Sequence, residues 1–116
     1  MNIIFFDDAA RTSLLPLTFT RPVSELRIGI MTIREKWLHR MKQKNASWMT
    51  EPYLQAKYPC TIAADNLLLN GSVLPTPQLL EEIATMPADS KLVDGSTVIA
   101  CKRSEEHTSE LQSLRH

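Results

Sequence analysis

Residues 14–22 read LLPLTFTRP, and they place two hydroxyls, Thr18 and Thr20, beside a guanidinium, Arg21, between Pro16 and Pro22. Arg27 follows and Arg11 precedes. Hydroxyls and guanidinium groups are hydrogen-bond donors, and arginine can hold a phosphate through two parallel bonds. Two prolines stiffen the segment and reduce the entropy lost when it closes on a ligand. The chemistry these residue types suggest is recognition of an oxyanion such as phosphate. Each has an ordinary alternative. Arg21 and Arg27 could instead pair with Asp7, Asp8 or Glu25, Arg11 could be a solvated charge, and Thr18 and Thr20 could bond the loop backbone. Asp7 could orient a base or an arginine, or cap the loop that follows it.

These residues need elements to position them. Ile3 to Phe6 form a short apolar run ending in Asp7 and Asp8. Such a run without polar alternation predicts a strand buried on both faces, as in parallel sheets. Asp8 to about Arg27 reads as a long ordered loop, with Leu14, Leu15, Leu17 and Phe19 calling for burial. Thr32 and Glu35 have capping-box spacing, which predicts a helix to about Lys44 with Ile33, Trp37, Leu38 and Met41 as its apolar stripe. Ala46 to Met49 predict a short strand, and Thr50-Glu51-Pro52 a short helix ended by Pro59. Asn66 to Leu69 predict a second buried strand, closed by the turn signal Asn70-Gly71. Thr76-Pro77 opens a further helix with Leu79, Leu80, Ile83 and Met86 on one face. Lys91 to Val93 and Thr97 to Ile99 flank Asp94-Gly95, a hairpin signal of type I′. This order predicts an α/β fold, with a mostly parallel sheet, flanking helices and a C-terminal hairpin.

The 116 residues suffice for one small domain or part of a larger one. Thirteen basic residues balance thirteen acidic ones, so no global field steers the chain toward nucleic acid or an anionic membrane. No apolar run approaches the roughly 20 residues of a membrane-spanning helix. The opening MNIIFFDD has no basic region and reaches two aspartates too early for a signal peptide, so the expected location is cytoplasmic. Cys60 and Cys101 lack metal-ligand spacing and read as buried thiols.

The motif Pro16-Leu17-Thr18, three residues, then Pro22, placed after an opening strand, resembles the start of sugar-nucleotide pyrophosphorylases. The longer string, FDD at Phe6, LLPLTFTRP, and TIREKW ending at Trp37, is similar to a divergent branch of sugar nucleotidyltransferases common in Bacteroidetes. That branch resembles N-acetylglucosamine-1-phosphate uridyltransferases, and NGSVLPTPQLL from Asn70 to Leu80 also looks like it. The resemblance covers residues 1 to 102. It implies a partial Rossmann-like nucleotidyltransferase domain, often followed by a left-handed β-helix. It implies nucleoside triphosphate and sugar 1-phosphate as partners, with Mg²⁺ as cofactor. The expected catalytic cations are Arg21 and Arg27, standing in for a lysine that the family keeps after the second proline, and the expected nucleotide-binding residues are Asp7, Arg11, Thr18 and Thr20. The chain departs from that pattern at three places. The loop from Asp7 to Leu15 has no glycine, and Ser13 stands where the family has an arginine. Val23 stands where the family has a lysine, and Asn70-Gly71-Ser72 where it has its metal-binding aspartate. No metal ligand is therefore assigned.

From Arg103 the chain reads RSEEHTSELQS, the translation of a common sequencing-library adapter. The expectation is a non-native read-through tail at 103–116, and a natural chain that continues beyond Lys102. Residues 1–102 are then the N-terminal, nucleotide-binding part of a nucleotidyltransferase, inactive as this fragment. The alternatives are a non-catalytic nucleotide- or sugar-nucleotide-binding module on the same fold, and an interaction domain that binds no nucleotide.

Overall fold

The computed structural model describes residues 2–8, 12, 14–15, 17–18 and 20–104. The first strand, β1 (Asn2–Phe6), lies inside a five-stranded mixed sheet. A two-stranded arm, β2 (Arg27–Ile28) and β3 (Met31–Thr32), precedes the first helix, α1 (Ile33–Met41). Next come β4 (Ser47–Met49), β5 (Asp65–Asn70) and the second helix, α2 (Pro77–Thr85). The chain then forms the hairpin of β6 (Lys91–Asp94) and β7 (Thr97–Ser104). Across the sheet the order is β4-β1-β5-β7-β6. β4 and β5 both run parallel to β1, and β7 and β6 add to the edge of β5 antiparallel.

The alternation of side chains along a strand divides the core between two faces. Ile3, Phe5, Leu67 and Leu69 pack with Trp37 and Leu38 of α1 and Ile83 of α2. Ile4, Phe6, Leu68, Met49 and Cys101 form the core of the opposite face, with Cys60 against it. Topology explains this partition. β1 leads through α1 to β4 on one side, and β4 leads back through residues 50–64 to β5 on the other. Right-handed crossovers in opposite directions must use opposite faces. The continuous apolar reading of β1 and β5 follows, because both strands are covered twice.

The α/β class agrees with the sequence pattern, while the sheet expected to be mostly parallel is mixed, because the C-terminal hairpin joins it antiparallel at β5, and several local expectations change. The segment after β4 makes a 3-10 turn at Pro52–Leu54 rather than a helix reaching Pro59. The Gln55 side chain takes bonds a helix would leave to the backbone: it accepts from Thr50 N at 3.3 Å and donates to Trp48 O at 3.2 Å and to Tyr58 O. Helix α1 stops at Met41, because Lys42 turns left-handed at φ 57° and Gln43 N closes on Leu38 O.

The β2–β3 arm lies where the loop was expected to end. Gly29 has φ 78° at the first position of its two-residue turn, which is the type II′ pattern. The C-terminal hairpin is one residue out of the expected register. Asp94 pairs with Thr97, so the turn centres on Gly95-Ser96 with Gly95 at φ 63°. Ile99 is an extra residue between the pairs Leu92–Ala100 and Val93–Val98. β7 also runs past Lys102, pairing Arg103 with Asn66 and Ser104 with Asp65. Residues 105–116 lie outside the described residues.

Candidate functional site

The loop after β1 is tied down by a buried carboxylate. Asp7 follows the last residue of β1 and is 4% exposed. Its Oδ1 accepts from Val23 N at 3.0 Å, and its Oδ2 accepts from Thr50 Oγ1 at 2.6 Å. Asp7 N also donates to Met49 O at 3.4 Å. One side chain therefore joins the carboxyl ends of β1 and β4 to the far end of the loop. A buried carboxylate is costly unless such charge-assisted bonds hold it.

Beyond Pro22 a 3-10 turn, Val23–Glu25, brings the chain back over the sheet. Val23 and Ser24 are fully buried, and Val23 joins the core of the face that α1 covers. Gly71, just past β5, lies against this turn. A Cβ there would sit 3.0 Å from Ser24 N and 3.2 Å from Ser24 Cβ. Gly71 N donates to Phe6 O at 2.9 Å, so the turn, β1 and the end of β5 are in mutual backbone contact. This close approach favours the smallest residue, and no positive φ is involved.

The first turn of α1 completes the enclosure. Thr32 Oγ1 accepts from Glu35 N at 3.1 Å, and Glu35 Oε1 accepts from Thr32 N at 2.9 Å. These bonds, from the Thr32 backbone first and its hydroxyl second, hold the Glu35 carboxyl below its ordinary pKa. Arg34 Nε donates to both carboxylate oxygens of Glu25 at 3.0 and 2.9 Å, linking helix to turn. Arg27 Nη1 donates to Ile30 O at 2.8 Å across the β2–β3 arm.

Together these elements border an open cleft of about 360 Å³. Its cationic lining is Arg21, Arg27, Arg34 and Lys57. Glu25 and Glu35 are its carboxylates, and Thr20 and Tyr58 add hydroxyls. In an open α/β sheet, ligands sit beyond the carboxyl ends of strands where the strand order switches. β1, flanked by β4 and β5 through opposite crossovers, supplies such a point.

Of the residues singled out from the sequence, Thr20, Arg21 and Arg27 therefore come together at the cleft. Asp7 and Thr18 are buried and do not line it; Asp7 holds the loop instead. Arg11 lies outside the described residues. Glu25, named as an alternative partner for Arg21 or Arg27, bonds Arg34. Arg34 and Lys57 were not expected at the site. Arg34 carries a readable signal, since it is in the first turn of the helix after the loop. Lys57 carries none, because its segment does not form the expected helix.

Asn70, the last residue of β5, is held on both sides of its amide. Asn70 Nδ2 donates to Asp8 Oδ2 at 2.8 Å and to Val98 O at 2.9 Å, while its Oδ1 accepts from Ser72 N and Oγ. Among the described residues no three His, Cys, Asp or Glu side chains gather to hold a metal. No helix of the described residues is long and apolar enough to cross a membrane.

No curated protein and no solved structure matches the chain. A family model described as sugar nucleotidyl transferase matches residues 3–115, and the chain belongs to that family.

Proposed function

We propose that this chain is the N-terminal, nucleotide-binding part of a sugar-1-phosphate nucleotidyltransferase, on a partial Rossmann-like domain. In the reaction, a phosphate oxygen of the sugar 1-phosphate attacks the α-phosphorus of a nucleoside triphosphate. The bond from that phosphorus to the bridging oxygen breaks, and pyrophosphate leaves. The single observation that supports this reading is the cationic cleft beyond β1, where Thr20, Arg21 and Arg27 meet. Fixed cations there would hold the phosphates and offset charge that builds on their oxygens. The chain's contribution is positioning: Asp7 and Gly71 set the loop, and the loop presents Thr20 and Arg21. Mg²⁺ belongs to this reading as a companion of the triphosphate, and its chemistry would be charge neutralisation. A cytoplasmic location belongs to the same reading.

A second reading is a non-catalytic nucleotide-binding module. Val23, fully buried where the family has a lysine, and Asn70, bonded on both sides of its amide, favour it. Titration with nucleoside triphosphates tests nucleotide binding. Pyrophosphate release on adding sugar 1-phosphates to the natural full-length protein then separates the readings. The fragment itself is expected to bind without turnover. Turnover by the purified 116-residue chain would overturn the fragment assignment.

A further inference from the structure

The cleft contains two cations with unused bonding capacity. Arg34 is committed through Nε to Glu25, and its two terminal nitrogens make no hydrogen bond among the described residues. The Trp48 ring lies on another side of the same guanidinium, 5.8 Å from ring centroid to guanidinium carbon. Arg34 is therefore held through its inner nitrogen, beside the Trp48 ring, with both terminal nitrogens left to meet a ligand. Lys57 Nζ lies 5.5 Å from the centroid of the Tyr58 ring and makes no ion pair among the described residues.

Four cations line this concavity against two carboxylates, and Glu35 is already engaged in capping α1. Like charges gathered in a concave site raise its potential, and a ligand with several negative charges relieves that repulsion. The volume of about 360 Å³ exceeds what one phosphate needs and falls within the range of small-molecule sites.

We infer that Arg34 and Lys57 bind the polyphosphate chain of the ligand, and that Glu25 is a counter-ion holding Arg34 in place until the polyphosphate arrives. The inference rests on the nucleotide reading of the cleft and adds two binding residues to it. It also makes the recognition of phosphates independent of the base, since both new contacts are cations from α1 and the segment after β4.

The test is calorimetric titration of the 116-residue chain with inorganic tripolyphosphate, which has neither base nor sugar. Losing one charge-assisted contact weakens such binding about tenfold or more. Lys57→Gln and Arg34→Gln should each show that loss. Glu25→Gln should tighten binding several-fold, because it removes the competing carboxylate. Arg40→Gln, exposed in the last turn of α1 and outside the cleft, should bind as wild type does. Should Arg34→Gln melt early, Lys57→Gln carries the test alone, since Lys57 is exposed. Wild-type affinity in Lys57→Gln, or no tripolyphosphate binding by the unmodified chain, overturns the inference. A nucleoside triphosphate arm separates the two claims. Nucleotide binding that ignores both substitutions sinks this inference and spares the nucleotide reading. Lys57-dependent tripolyphosphate binding, with no gain from an attached nucleoside, sinks the nucleotide reading and leaves these residues as a polyphosphate site.

Discussion

Asp7 accepts the backbone N–H of Val23 at 3.0 Å across sixteen residues of sequence, and so closes the loop that carries Thr20 and Arg21. Its other oxygen takes the Thr50 hydroxyl at 2.6 Å. Asp7→Ala removes both acceptors and leaves buried donors behind. The expected loss is about 2–4 kcal/mol, from roughly 1–3 kcal/mol per unsatisfied group. Asp7→Asn should cost less, because its amide oxygen can still accept from Val23 N and the Thr50 hydroxyl can rotate. Urea unfolding of both variants checks the order; an Ala variant as stable as Asn would remove Asp7 from the loop's support.

Gly71 should accept a side chain only if the Ser24 turn shifts to make room. A Cβ at 3.0 Å from Ser24 N meets backbone, which cannot swing aside as a flexible side chain can. Gly71→Ala should destabilise by about 1–3 kcal/mol, the range for overpacking a close contact. It should also loosen the turn that leads from Arg21 to Arg27. Thermal unfolding, with hydrogen exchange at Glu25 N and Leu26 N, measures both effects.

The capping box of α1 makes a pH prediction. The folded Glu35 carboxyl gives up its proton more readily than the unfolded one, because Thr32 donates to its ionised form. Its contribution is therefore complete above the ordinary value of 4.5 and disappears as pH falls through the lowered folded value. Glu35→Gln should flatten that part of the acid-stability curve. Thr32→Ala, which removes the N-cap hydroxyl, should cost about 1 kcal/mol at neutral pH.

Arg21→Ala should weaken nucleoside triphosphate binding by the equivalent of about 1.5–3 kcal/mol, the worth of a hydrogen bond to a charged group. Arg21→Lys should recover part of this, since an ammonium cannot reproduce the two-pronged guanidinium. From sequence alone, Arg34 serves as a charge-matched control that should change little. The structure removes it from that role, because Arg34 lines the same cleft as Arg21. Arg40 is the appropriate control. Equal affinity of the Arg21→Ala and Arg40→Ala variants would show that Arg21 has no part in binding.

The C-terminal segment divides at Ser104. Arg103 and Ser104 pair with β5, and Ser104 N donates to Asp89 Oδ1 at 3.1 Å. Removing 105–116 should leave the melting temperature unchanged, on the expectation that this polar stretch is not native sequence. Removing 103–116 should lower it, because the end of β7 goes too. Two truncations compared by calorimetry test the boundary.

What the sequence determined by itself is what short-range chemistry controls. The apolar runs at Ile3–Phe6 and Asn66–Leu69, the Thr32–Glu35 capping box, the Thr76 cap and the stripe through Trp37 and Leu38 each state an element within a few residues. The loop motif and the arginine after it named Thr20, Arg21 and Arg27 as candidates, and all three line one cleft. The tertiary structure decided what depends on distant partners. Val23 has no local reason to be fully buried; Asp7 and the covered face of the sheet place it there. Lys57 reaches the cleft because the segment after β4 folds back along that strand's outer edge, where Trp48 N donates to Pro59 O at 3.2 Å and the Tyr58 ring meets Trp48. Gly71 is read from sequence as a turn residue, yet its small size is favoured by the close approach of Ser24, forty-seven positions earlier. Periodicity and caps act over one or two turns of chain, whereas a cleft is made by segments that sequence spacing does not relate.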